Sequence, residues 1–181
     1  MKNPVESLLE HDHASLDQVL TELDEELARP NAVRAFELLD FFWARLAVHI
    51  RAENLQLFPA IESAPPSHFT GKDSFPTRED AQRVLARLRA DHDFFMKELA
   101  RAVQTMRQID AAETERLREI EDVRRQVTAI AKRLDEHNRL EEQQLYRWPS
   151  LLFAESTIAE LREGLKRELE NLPPRFSQGE E

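Results

Sequence analysis

The stretch Leu134-Asp135-Glu136-His137-Asn138-Arg139-Leu140-Glu141-Glu142 sets an ionisable pair on the apolar face of a helix. A histidine followed four residues later by a glutamate places both side chains on one helical face, one turn apart. Ile120, Val123, Val127, Ile130 and Leu134 recur at spacings of three and four, and His137 and Glu141 continue that stripe. Burying such a pair where the pattern asks for Leu costs on the order of several kcal/mol unless something binds it. A metal ion is the simplest binder. The same unit occurs earlier, where Leu46 leads into His49-Ile50-Arg51-Ala52-Glu53.

Two further histidines interrupt apolar stripes. His13 lies among Leu9, Leu16, Leu20, Leu23 and Leu27, and His92 among Leu85, Leu88, Phe95, Leu99, Ala102 and Met106. The chain reads as an internal duplication. Asp12-His13-Ala14-Ser15-Leu16 matches Asp91-His92-Asp93-Phe94-Phe95, His49-x3-Glu53 matches His137-x3-Glu141, and Leu57 corresponds to Leu145. Two helical hairpins of this kind make an all-α, up-down-up-down four-helix bundle.

Helix signals place the segments. Asn3-Pro4-Val5-Glu6 is a capping box with Pro at the first helical position, opening a helix over about 4–28. Pro30-Asn31 breaks the chain before a second helix over about 32–62, whose last turn Pro59 bends or shortens. Residues 63–76, rich in Pro, Ser and Gly, read as a crossover loop. Thr77 caps a third helix over about 77–109, and Asp110-Ala111-Ala112-Glu113 caps a fourth over about 112–147, ending near Trp148-Pro149. Residues 1–150 thus form the bundle. Residues 151–181 add a short helix over about 157–171, capped by Ser156 or Thr157 and stopped by Pro173-Pro174, and an acidic tail. The stripe of Ile158, Leu161, Leu165, Leu169 and Leu172 must be covered, either by the bundle or by a homodimer contact.

Heights in the bundle follow from arithmetic. The midpoint of His13 and His49 is residue 31, on the first break, and that of His92 and His137 falls between 114 and 115, near the last. At the other end, His49 lies 13 residues before Glu62 and His92 lies 15 after Thr77. That mismatch is only about 3 Å of helix rise. Four histidines and two glutamates therefore share one layer. A single histidine on an apolar face is ordinarily a hydrogen-bonded core residue, but six such groups from four helices at one height point to metal.

Six donors exceed the needs of one tetrahedral zinc. Divided between two ions, they give each two imidazoles, with Glu53 and Glu141 as bridges and an oxo or hydroxo group as a third. Imidazole with carboxylate suits iron first, then manganese, then zinc. An open position walled by Phe and Leu would take O2 or NO.

The ordered set His13, His49-x3-Glu53, His92, His137-x3-Glu141 resembles the hemerythrin-like (HHE cation-binding) family over about residues 5–148. The resemblance implies a non-haem di-iron centre with His13, His49, His92 and His137 as terminal ligands and Glu53 and Glu141 as bridges. Oxygen-carrying members have a fifth histidine one turn from the third-helix ligand; Leu88 and Met96 occupy those positions here. The pattern is closer to members linked with oxygen or iron sensing, nitric-oxide response, or iron delivery to damaged iron–sulfur sites. Members of the last group typically add a cysteine-bearing N-terminal segment, and this sequence has no cysteine.

The remaining polar residues are assigned plainer roles. His11 falls about 200° around the helix from His13 and reads as a surface residue, and His68 as a loop residue. Asp17, one turn from His13, reads as a surface carboxylate. Glu142 points about 100° away from Glu141 and is left out of the site. Tyr146, the only tyrosine, reads as a packing residue. With no other acid beside the ligands, small-molecule binding is favoured over catalysis at the same centre on peroxide, NO or a small substrate. A metal-free scaffold is the third reading. A net charge of -10 and a pI near 5.2 argue against nucleic-acid or anionic-membrane partners. The absence of cysteine excludes thiol and disulfide chemistry. No apolar leader or span is evident, so a cytoplasmic protein is expected.

Overall fold

The computed structural model describes residues 2–29, 32–72, 74–109 and 113–176, with side chains from 116 onward in the last stretch. Helix α1 spans Pro4–Ala28 and α2 spans Ala32–Ala52. A π-helical turn, Glu53–Leu57, leads into α3, Phe58–Ser63. The crossover contains a 3-10 turn at Pro66–His68 and an isolated bridge between Thr70 and Thr77. Helices α4, Arg78–Gln108, and α5, Glu113–Gln143, form the second hairpin. A 3-10 turn at Leu145–Arg147, α6 at Trp148–Leu152 and α7 at Glu155–Glu170 complete the chain. Each long helix packs on its two neighbours, α1 on α2 and α5, α4 on α2 and α5, as an up-down-up-down bundle requires. The breaks assigned to Pro30-Asn31 and to Asp110 through Ala112 lie outside the described residues.

The caps behave as their chemistry dictates. Asn3 accepts from the backbone N–H groups of Val5 and Glu6, while Glu6 accepts from the Asn3 N–H. Thr77 accepts from the Asp80 N–H.

Three boundaries differ from the sequence reading. The second helix does not run unbroken to 62: its ladder loosens at Glu53, where the Phe58 N–H bonds back five residues to the Glu53 carbonyl. Pro59 has no N–H to offer the Leu55 carbonyl, which removes one bond of a regular α-ladder there. The fourth helix stops at Gln143, not 147, because Gln144 leaves the helical region (φ -126°, ψ -69°). The last helix starts at Glu155, with Ala154 rather than Ser156 or Thr157 in the cap position, and no side chain bonds the cap.

Two apolar clusters divide the interior. One holds Leu16, Phe42, Leu46, Phe95, Leu99 and Leu134; the other holds Leu9, Ala52, Leu88, Leu145, Tyr146 and the stripe of α7. Each of the four stripe histidines lies between a residue of one cluster and a residue of the other, so a polar layer crosses the bundle at one height. Ile158, Leu161, Leu165 and Leu169 are buried within their own chain. The covering of the α7 stripe is therefore internal, against α1, α2 and the π turn. Arg51 secures it by donating to the Glu168 carboxylate and to the carbonyls of Glu168 and Asn171. Gly164 permits the close approach, since a Cβ there would sit 2.6 Å from Oε1 of Gln56. Among the described residues, no helix is long and apolar enough to cross a membrane.

Candidate metal centre

The polar layer gathers His13 from α1, His49 from the end of α2, Glu53 at the start of the π turn, His92 from α4, and His137 and Glu141 from α5. Each of these side chains is almost completely buried, none above 3% exposed. Nε2 of His13 lies 3.2 Å from Nε2 of His49 and 3.4 Å from Oε2 of Glu141. Glu53 Oε2 is 3.5 Å from His49 Nε2 and 3.3 Å from His92 Nε2. Glu141 Oε1 is 3.1 Å from His137 Nε2 and 3.9 Å from His92 Nε2. The donor atoms fall into two sets, each with all members within 4.8 Å of one another: Glu53, His92, His137 and Glu141, and His13, His49 and Glu141. Glu141 belongs to both.

A family model described as the hemerythrin HHE cation-binding domain matches residues 5–148. The chain belongs to that family. No curated protein and no solved structure gives a significant match. The matched segment contains all six donors and leaves α7 outside the hemerythrin domain. At the two positions one turn from His92, Leu88 is fully buried in the apolar cluster toward α7, and Met96 packs at the edge of the other.

The residues fit the metal that the hemerythrin domain implies. Glu53 Oε2, Glu141 Oε1 and both ring nitrogens of His92 are buried and make no hydrogen bond. Buried polar atoms without partners cost about 1–3 kcal/mol each, and a cation accepting a lone pair from each carboxylate oxygen and from one nitrogen of His92 removes most of that cost. Burial alone would lower the pKa of His13, but hydrogen bonds to Glu141 and Glu142 and the charges of Glu141 and Glu53 outweigh it and raise it to about 10. Burial opposes ionisation of Glu141 as well, yet His137 and His13 hold its carboxyl well below the ordinary range. His137 is raised, its burial overcome by Glu141, Glu53 and Asp91. Protons therefore occupy part of the role that a cation would fill.

A second layer aims the imidazoles. The Nδ1 of His49 donates to Asp12 Oδ2 (2.9 Å), and Asp12 Oδ1 accepts from Arg45 (2.5 Å). The other half repeats the device: His137 Nδ1 lies 3.4 Å from Asp91 Oδ2, and Arg133 Nε donates to Asp91 Oδ1 (2.8 Å). Donation through Nδ1 leaves the Nε2 lone pair facing the centre. Sequence reasoning did not assign Asp12 and Asp91 to the site, although their places beside His13 and His92 in the duplicated segment were the available signal.

Two assignments of the sequence reading are corrected. Glu142 does reach the site: its Oε1 lies 2.8 Å from His13 Nδ1, across the α1–α5 interface rather than along its own helix. Tyr146 is more than a packing residue. Its hydroxyl donates to Glu53 Oε1 (2.8 Å) and lies 3.0 Å from His13 Nε2 and 3.1 Å from Glu141 Oε2. Burial, and then the charges of Glu141 and Glu53, push its phenol well above the ordinary value. A proton-bearing group therefore does lie beside the donors, contrary to the sequence reading. The residues read as bystanders stay so: His11 and Asp17 are exposed, and His68 Nδ1 bonds the Leu152 carbonyl (2.7 Å) away from the layer.

Proposed function

We propose that this hemerythrin-family protein holds two iron ions in the polar layer and uses them to bind a small ligand, O2, NO or peroxide, in sensing, response or iron homeostasis. His13, His49, His92 and His137 are the terminal ligands, and Glu53 and Glu141 the bridges, with an oxo or hydroxo group completing the set. The observation that carries this reading is the convergence of six buried donors from every long helix, with carboxylate and imidazole lone pairs that no protein group satisfies. Manganese and zinc are weaker fits, since the donor set is mixed imidazole and carboxylate. When bound, such ions supply coordination of a diatomic and one-electron chemistry.

The protein's own contribution is selection and shielding. Phe58 lies parallel to His92 with ring centroids 5.5 Å apart, and Phe95 meets His137 edge-on at 5.2 Å. Ligand side chains at most 3% exposed behind such walls admit only small molecules. A homodimer through the apolar stripe of α7 would require that stripe to leave its own bundle, where it is buried.

Catalysis on peroxide, NO or a small substrate is the second reading, favoured by the Tyr146 hydroxyl, which places a proton donor at the centre. Iron delivery to damaged iron–sulfur sites has no observation behind it beyond the family. The test is to add NO or O2 to the anaerobic, iron(II)-loaded protein and follow the visible spectrum. A saturable spectral change without consumption of excess ligand supports binding. Continuous consumption with a reductant present supports turnover, and no spectral change overturns both.

A further inference from the structure

The duplication pairs residues beyond the six donors. Phe58 follows Glu53 by five positions, and Tyr146 follows Glu141 by five, so the two aromatic rings occupy equivalent places in the two halves. Both are fully buried. The Phe58 ring stacks on His92, and the Tyr146 ring lies against His13 with centroids 5.5 Å apart. At this pair of positions the halves therefore differ by one oxygen atom.

That oxygen lies where donors are fewer. The donor atoms that lie within 4.8 Å of one another around His92 and His137 come from two imidazoles and two carboxylates, whereas those around His13 and His49 come from two imidazoles and Glu141, with Glu53 reaching only the His49 side at 3.5 Å. The Tyr146 oxygen is 3.0 Å from His13 Nε2 and 3.1 Å from the Glu141 oxygen that faces His13. It is aimed by backbone. After the break at Gln144 the chain turns inward, and Asn3, while capping α1, donates its Nδ2–H to the Tyr146 carbonyl (2.8 Å).

We propose that Tyr146 is the seventh protein ligand, its phenolate oxygen coordinating the iron held by His13 and His49 beside the bridging Glu53 and Glu141, while Phe58 leaves the other iron without a counterpart. The two metal positions are then inequivalent: one completed by a hard anionic oxygen, the other left to take the small ligand. On coordination the phenol O–H bond breaks and its proton passes to solvent, with no electron transferred. Without metal the phenol is a neutral donor to Glu53; a cation of charge two or three at the centre reverses that field.

This inference rests on the dinuclear reading, and the experiment separates the two. Full-length protein is loaded anaerobically with iron(II), oxidised with O2, and examined by elemental analysis, visible absorption and resonance Raman spectroscopy. Because the chain has one tyrosine, any phenolate-to-iron(III) band and its ring vibrations must come from Tyr146. The wild type is expected to hold about two irons and show the band, and Tyr146→Phe to keep its fold and iron while the band falls to background. Iron bound without a phenolate band overturns the assignment and leaves Tyr146 a hydrogen-bond donor to Glu53. Failure of the wild type to hold iron appears in the elemental analysis and overturns the dinuclear reading, and this assignment with it. Should Tyr146→Phe fail to fold, the wild-type spectrum decides alone.

Discussion

Replacing Asp12 by Ala removes the group that orients His49. Asp12 is buried, and its carboxylate links the His49 Nδ1–H at 2.9 Å to the Arg45 guanidinium at 2.5 Å. Burial works against its ionisation, but the His49 hydrogen bond and the charges of His49, Arg45 and His13 hold it below the ordinary carboxylate range. Asp12 is thus an acceptor at neutral pH. Its loss leaves the His49 N–H buried and unpaired, about 1–3 kcal/mol, and frees the ring to present the wrong nitrogen. Partners of metal-bound histidines are worth 10–100-fold in affinity, or about 1.4–2.8 kcal/mol. The assay is competition for iron(II) against a coloured chelator, with circular dichroism confirming the fold. Asp12→Ala is expected to weaken binding by about 10–100-fold, and Asp91→Ala by less, since the Asp91–His137 contact is longer at 3.4 Å. Wild-type affinity in both folded variants would refute the reasoning and leave the two aspartates as partners of arginine alone.

Three further outcomes are expected. Truncation after Phe153 strips the internal cover from α1, α2 and the π turn; with four buried aliphatic residues lost, each contributing about 1.5–3 kcal/mol, thermal melting should fall by on the order of 10 °C or more, and an unchanged melt would contradict the packing of α7. Phe42→Ala, at a fully buried site away from the polar layer, should cost about 3–5 kcal/mol in urea unfolding while the folded fraction keeps wild-type metal stoichiometry. Metal-free protein should be most stable between about pH 4.5 and 6.5, the ordinary values of Glu141 and His13. The raised His13 contributes stability that is complete below 6.5 and lost as pH rises through about 10, and the lowered Glu141 contributes stability that is lost as pH falls below 4.5. Metal loading should flatten the alkaline decline, because bound imidazoles carry no such proton; melting curves from pH 4 to 10 with and without metal check this.

What helical periodicity encodes was legible in the sequence. A stripe residue declares its face, so the bundle, the His-x3-Glu pairs and their common height follow from spacing alone. Where periodicity ends, so did the reading. The ladder leaves regular α geometry at Glu53 and ends at Gln144, and the second departure turns Tyr146 inward. Its anchor is the Asn3 side chain, 143 residues away in sequence. Glu142 was misread for a related reason: the angle between neighbours on one helix says nothing about a partner on the helix packed alongside, and a long side chain on the flank reaches His13 across that interface. Asp12 and Asp91 likewise act on histidines of the adjacent helix.

The most direct test of the central claim is the metal content of protein purified without chelator, measured together with Glu53→Ala and His137→Ala. About two irons per chain in the wild type, lost together in each variant, is the predicted result. One zinc, or no metal even after anaerobic iron(II) reconstitution, with Glu53→Ala as stable as the wild type or more so, would contradict it and leave the bundle a metal-free scaffold.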